Sequence, residues 1–348
     1  MSLADLGWNH FFHTQVLQMG ETDLVPVRVM AVHRDRLYVA GPGFDQLIPR
    51  PHAPDRDEED EPTVGDWLII EPETGRPRRL LSRQSLFKRR AAGTGRRLQL
   101  IAANIDTLFI VTSCNQDFNV ARLERYLALA RQADVMPVVV LTKSDLTDRP
   151  EDRAREAANL VPGLMVECLD ARAPSQVARL MAWCGQGRTV ALLGSSGVGK
   201  TTLVNSLTGG SQLTTGAVRA DDDKGRHTTT ARALHRLPSG GWLIDTPGMR
   251  ELQLADTKAG LDGLFADIIT LTAQCRYADC RHEVEPGCAI KMAIETGAID
   301  PGRLQRWRKL KAEELRNSEA LHERRARERQ FMRSARSMVK RRREMWQE

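Results

Sequence analysis

The chain has 348 residues, 41% of them hydrophobic, too many for one compact core and enough for two or three folded units. Its most apolar stretches, Leu108–Val111 and Val135–Leu141, fall far short of the ~20 residues a membrane helix needs. Met1–Gln18 has no basic segment leading into an apolar run, so a soluble, cytoplasmic protein without a membrane partner is expected. The net charge is +6, but residues 303–348 alone carry 16 Lys and Arg against 7 Asp and Glu, leaving the body slightly acidic. A basic segment of this kind suits a nucleic-acid phosphate backbone.

In chain order, residues 1–24 read as a polar extension. Residues 25–86 read as short strands with Gly and Pro punctuation: Val27, Val29 and Ala31 alternate, Leu37, Val39 and Ala40 follow, and Val64–Ile70 closes the set. Five such strands fit a small β-barrel of the oligonucleotide-binding (OB-fold) size. Arg78–Arg97 reads as a basic connector. From 87 to 258 apolar strands (Asp106–Ser113, Met136–Leu141, Leu164–Cys168, Thr189–Leu193, Trp242–Ile244) alternate with helices (Val120–Gln132, Arg153–Leu160, Gln176–Cys184). That alternation predicts a parallel sheet covered on both faces. Residues 259–348 read as a mostly helical region around a Cys/His cluster.

The strand Thr189–Leu193 runs into Gly194-Ser195-Ser196-Gly197-Val198-Gly199-Lys200-Thr201-Thr202, a phosphate-binding loop between a strand and a helix. Glycines let the backbone curl so that its N–H groups face phosphate oxygens, and the following helix adds its positive end. Lys200 reaches the β- and γ-phosphates and Thr201 holds Mg²⁺. The loop specifies a nucleoside triphosphate without naming its base. Upstream, a second strand ends in Thr142-Lys143-Ser144-Asp145. A carboxylate there accepts from guanine N1–H and N2–H₂ together, a donor pair adenine lacks, and the Lys143 stem can lie over the base. Downstream, Asp245-Thr246-Pro247-Gly248 ends a strand, with Asp245 toward Mg²⁺ and the Gly248 N–H toward the γ-phosphate. Between them lies Gly225-Arg226-His227-Thr228-Thr229-Thr230, one of whose threonines, taken as Thr229, completes the Mg²⁺ shell.

Cys275, Cys280, His282 and Cys288 place three thiols and an imidazole within 14 residues. Four such ligands suit a closed tetrahedral Zn²⁺ site, one structural ion per chain.

T-K-x-D, G-x-x-x-x-G-K-T, a threonine segment and D-x-P-G are GTPase motifs, but here Asp145 precedes Gly194 by 49 residues. With a small β-domain before them and a Cys/His cluster after, the chain resembles the circularly permuted small-ribosomal-subunit biogenesis GTPases of the EngC/YjeQ type. The resemblance runs from about Val25 to the basic tail. It implies an OB-fold barrel, a permuted GTPase domain and a zinc domain in a monomer. It also implies hydrolysis of GTP to GDP stimulated by the small (30S) subunit and its 16S rRNA, with His227 positioning water. Three departures stand out. Thr142 replaces the usual Asn, Glu167-Cys168-Leu169 matches the second base-contacting loop poorly, and Met249 stands where Ras-like enzymes keep a water-orienting Gln. Two alternatives stay open on the motifs alone: an RNA-binding module with a structural nucleotide, and a P-loop ATPase or kinase.

Overall fold

The computed structural model describes residues 1–20, 24–51, 57–90, 98–115, 117–210, 232–245 and 257–318, with the backbone alone at Arg90, Arg232 and Asp245. Two compact units result, Met1–Gln253 and Leu254–Glu348.

In the first unit, helix α1 (His10–Leu17) is capped by Asn9, whose side-chain oxygen accepts from the Phe11 N–H. The segment around it is no free polar extension. Leu6 and Phe12 are buried, and Trp8 and Phe12 pack their rings on Trp67. The scattered aromatics disguised this, because a helix of 8 residues shows too little periodicity to declare a buried face.

Strands β1 (Val25–Val32), β2 (Arg36–Gly41), β3 (Phe44–Pro49), β4 (Trp67–Ile70) and β5 (Pro77–Leu80) are antiparallel, in the spatial order β5-β4-β1-β2-β3. Val27, Val29, Leu37, Val39, Ile48, Leu68 and Ile70 form their shared core. The basic connector expected over Arg78–Arg97 is instead strand-forming in its described part. It contains the end of β5 and strand β6 (Leu86–Arg90), which pairs antiparallel with β7 (Leu98–Ala103) as a separate two-stranded sheet. Arginine-rich strands read as connectors because the charge hides the alternation; here Phe87 is buried while Lys88 reaches Glu59 at 2.7 Å.

The α/β half follows: β8 (Thr107–Ser113), α2 (Val120–Gln132), β9 (Met136–Thr142), α3 (Pro150–Ala158), β10 (Met165–Cys168), α4 (Pro174–Val177), β11 (Thr189–Leu193), α5 (Lys200–Leu207), β12 (Arg232–Arg236) and β13 (Trp242–Asp245). Strands β10-β9-β8-β11-β13 are parallel in that order. The residues of β8 and β11 and most of those of β9 are buried, as strands covered on both faces must be, whereas the edge strand β10 has no fully buried residue. The helix expected over Gln176–Cys184 is only the short α4, which tightens into a 3₁₀ segment, Ala178–Trp183. That segment sets Trp183 edge-on to Phe109 at 6.3 Å.

The β-domain and the α/β half share one 11-stranded sheet. β12 runs antiparallel to β13 and pairs with β1 through Ala31↔Ala233 and Val32↔Arg232. A register shift between Val29 and Ala31 lets β1 leave β4 and take up β12. Arg28, fully buried beside this junction, donates to the Leu6 carbonyl at 2.5 Å and to Thr189 Oγ1 at 2.8 Å. Burial pulls its guanidinium down to about 10, so it remains protonated at neutral pH.

The second unit contains α6 (Lys258–Leu264), α7 (Ala266–Thr272), α8 (Ala289–Glu295) and α9 (301–318), with no strand among its described residues. Phe265, Ile268, Ile290, Leu304, Trp307 and Leu310 are among its buried side chains. No described helix of either unit is long and apolar enough to cross a membrane.

Candidate nucleotide site and metal centre

The phosphate loop begins where β11 ends. Gly194 passes so close to β8 that a Cβ there would lie 2.2 Å from the Val111 carbonyl oxygen, so only glycine fits. Gly199 caps α5 at φ +91°, a left-handed conformation that costs other residues strain. Between these two glycines the chain turns into α5. Lys200 is buried, and its Nζ donates to the carbonyls of Gly194, at 2.8 Å, and Ser195. The ammonium therefore sits inside the loop. Val198 is buried against the core, whereas Ser196, Gly197, Thr201 and Thr202 are exposed.

The Thr142–Asp145 segment leaves β9 at the same carboxyl edge of the sheet, two strands away from β11. Thr142 is completely buried. Its hydroxyl lies 2.5 Å from the Val198 carbonyl and 3.1 Å from that of Thr112, sharing its proton between them. Lys143 takes a left-handed turn at φ +56°, starting a 3₁₀ segment, Ser144–Leu146. The exposed Asp145 carboxylate pairs with Arg172 at 2.7 Å, and Arg172 also holds Asp170. Arg172 follows β10 and was not singled out by sequence reasoning. Its only signal was a cation four residues beyond Cys168, in the loop that matched the family poorly.

β13 carries Asp245 to the same edge, its backbone opposite Ala233. Strand order reverses between β8 and β11, the position at which open α/β sheets bind ligands. His227, Thr228, Thr229, Thr230, Gly248 and Met249 lie outside the described residues, as do Arg324–Arg329 and Lys340–Arg343 of the tail.

In the second unit, Cys275, Cys280, His282 and Cys288 bring their ligand atoms within 4.8 Å of one another. His282 Nδ1 is 3.5 Å from both Cys275 Sγ and Cys288 Sγ, and those two sulfurs are 3.9 Å apart. A tetrahedral Zn²⁺ with Zn–S bonds of about 2.3 Å separates its sulfurs by about 3.8 Å, so this group fits the ion. The loop is preset by Glu285. Its carboxylate accepts the N–H groups of Arg281 (2.8 Å), Glu283 (2.9 Å) and Val284 (3.0 Å), which hold it down at about 2. Glu285 was also missed in the sequence, where one acid among charged neighbours gives no signal.

A parallel sheet with a phosphate loop after β11, and with the loop carrying Thr142–Asp145 fastened to it from upstream, defines a circularly permuted P-loop GTPase. The RsgA GTPase family model matches residues 80–255. The chain is 51% identical over 321 residues to the small ribosomal subunit biogenesis GTPase RsgA of Mesorhizobium japonicum, covering 91% of each chain. It is 46% identical over 338 residues to RsgA 2 of Vibrio parahaemolyticus, covering 97% of this chain and 92% of that one. Among solved structures it is similar to YjeQ from Thermotoga maritima (TM-score 0.62, 25% identity, 82% of this chain and 97% of that one). The circularly permuted GTPase YloQ shares the fold (TM-score 0.56, 22% identity, 88% and 98% covered). The chain belongs to the RsgA GTPase family and is a GTP hydrolase.

Proposed function

We propose that this GTPase binds the maturing small (30S) ribosomal subunit through its 16S rRNA, as a cytoplasmic monomer. There it hydrolyses GTP to GDP and phosphate when the subunit completes its catalytic site. The observation that carries this reading is the convergence of the Gly194–Thr202 and Thr142–Asp145 loops at one sheet edge, tied by Thr142 and Val198. The near full-length match to relatives named for small-subunit biogenesis supplies the partner, and the basic segment 303–348 the means of holding RNA.

In this reading the backbone N–H groups of Ser195–Thr202 cradle the phosphates, and Lys200 Nζ exchanges its carbonyl partners for phosphate oxygens. Thr201, Thr229 and Asp245 hold Mg²⁺, which neutralises charge on the β- and γ-oxygens. The Gly248 N–H meets the γ-phosphate. Asp145 leaves Arg172 to accept from guanine, with Lys143 along the base and Ser144 bracing the loop. Met249 cannot orient water, so hydrolysis by the free protein is slow, and His227 supplies that function once the subunit fixes it. Residues 25–86 act as an OB-fold barrel for rRNA, 87–258 as the GTPase domain, and 259–348 as the zinc-binding and basic helical part.

Phosphate release measured with and without purified small subunits tests the proposal. Stimulation of about 10³-fold or more is expected, the scale on which a completing partner acts on such sites. Equal rates in both arms would overturn it. His227→Ala hydrolysing as fast as the unaltered protein on saturating subunits would remove His227 from its role.

A further inference from the structure

Cys114 and Cys168 serve none of the roles above, yet their sulfurs are 3.4 Å apart. Cys114 follows β8 and is 3% exposed; Cys168 ends β10 and is half-buried. The two strands flank β9, so the thiols meet beside the end of the strand that carries the base-reading loop. The backbone knits them to it. The Cys114 N–H donates to the Thr142 carbonyl at 2.9 Å, the Leu169 N–H to that of Leu141 at 2.8 Å, and the Ser144 N–H to that of Leu169 at 3.4 Å.

We propose that Cys168 is a peroxide-sensitive modification site, that Cys114 is its resolving thiol, and that the disulfide between them shuts the guanine site. A reactive cysteine of this kind is reached by solvent, ionised readily and set against a partner thiol. The hydrogen bond from Cys114, with help from Arg179, holds Cys168 below the ordinary thiol range, while the same contact pushes Cys114 up. Arg179 also donates to the Cys168 carbonyl. Cys184 marks the contrast: it has no exposed surface, and burial pushes it up to about 12.

The chemistry balances with hydrogen peroxide as oxidant. The Cys168 thiolate attacks one peroxide oxygen, the O–O bond breaks, and hydroxide leaves as water after taking a proton. The Cys114 sulfur then attacks the Cys168 sulfenic sulfur. The S–O bond breaks, and the departing hydroxide takes the Cys114 proton. Two thiols lose two electrons and the peroxide becomes two waters.

The mechanical consequence follows from spacing. The two sulfurs already lie 3.4 Å apart, and bonding shortens that separation to about 2.05 Å. Forming the bond draws the ends of β8 and β10 together over Thr142 and Lys143. The left-handed turn at Lys143 and the position of Asp145 change with it. This last step rests on the reading of Asp145 as the guanine acceptor.

The test uses the full-length, zinc-loaded protein exposed to hydrogen peroxide in small excess. Peptide mass spectrometry is expected to find Cys114 and Cys168 joined, two hydrogens lighter, with Cys184 unmodified. Affinity for a fluorescent GDP is expected to fall by about tenfold or more and to return with dithiothreitol, while zinc content stays constant. Cys168→Ser should bind GDP with the same affinity before and after peroxide. Cys114→Ser should accumulate a dimedone-reactive sulfenic acid at Cys168. Absence of the Cys114–Cys168 link, or a link that leaves GDP affinity unchanged, would overturn the proposal. Failure of the reduced protein to prefer GDP over ADP would instead overturn the base reading, with the thiol chemistry still judged by the mass spectrum.

Discussion

The Thr142 hydroxyl lies 2.5 Å from the carbonyl oxygen of Val198, so the first residue of the Thr142–Asp145 segment is fastened to the Gly194–Thr202 loop. A hydroxyl at this position thus keeps the two loops joined without the second polar group of an asparagine. Thr142→Val preserves the volume and leaves the buried carbonyls of Val198 and Thr112 without their donor, a loss of about 1–3 kcal/mol. We expect guanine-nucleotide affinity to drop by about tenfold or more, alongside a loss of folding stability of that same order, about 1–3 kcal/mol. Thr142→Ser should stay near the original value. Titration of a fluorescent nucleotide against all three proteins checks this.

In the role proposed for it, Asp145 exchanges a cation for a base. Its partner Arg172 is two-thirds exposed, and pairs of this kind are worth about 1 kcal/mol or less. Arg172→Ala should therefore raise GTP affinity, by no more than about fivefold. Asp145→Ala should lose GTP by about 2 kcal/mol or more, because two guanine N–H groups go unpaired, and should erase the preference over ATP. Competition binding with GTP and ATP separates the two effects.

For the cluster Cys275, Cys280, His282 and Cys288, metal analysis is expected to return one zinc per chain. Cys280→Ser should lose most of it and lower the melting temperature. Zinc contributes folding free energy directly to small ligand clusters of this kind, by about 10 kcal/mol in isolated fingers. A variant that keeps full zinc and an unchanged melting curve would rule out the assignment. Glu285→Gln should weaken zinc retention against a chelator, because the amide is a poorer acceptor for the N–H groups of Arg281, Glu283 and Val284.

Arg28 pins Leu6 and Thr189 to β1. Arg28→Met keeps most of the packing and removes the donors. Loss of about 2–4 kcal/mol is expected in denaturant unfolding of the full chain, from buried carbonyls and a hydroxyl left unpaired. Arg28→Lys should recover only part of it, since a single ammonium cannot span both acceptors.

The sheet was legible because its strands are continuous apolar runs. Thr189–Leu193 was placed residue for residue, and Thr107–Ser113 and Met136–Thr142 within one residue at an end. The loops were legible because glycine at Gly194 and Gly199 is dictated by backbone approach and left-handed φ, constraints that act locally. What sequence could not disclose depends on distant pairs. Leu98–Ala103 has an apolar pattern but meets Leu86–Arg90 only through the fold, and Arg28 looks like any strand arginine until Leu6 and Thr189 close over it. Arg172 and Cys114 gained meaning from Asp145 and Cys168, neighbours that only the topology supplies.

The ladder between β1 and β12 makes the two halves of the first unit inseparable as parts. Excising residues 25–86 would strip the edge at Ala31 and Val32 and invite a second copy to pair there, as bare strand edges do. It would also unseat Arg28 from Thr189 and Trp67 from the rings of Trp8 and Phe12. Attempts to graft this β-domain onto another GTPase, or to express it alone, would need β12 carried along as a splint.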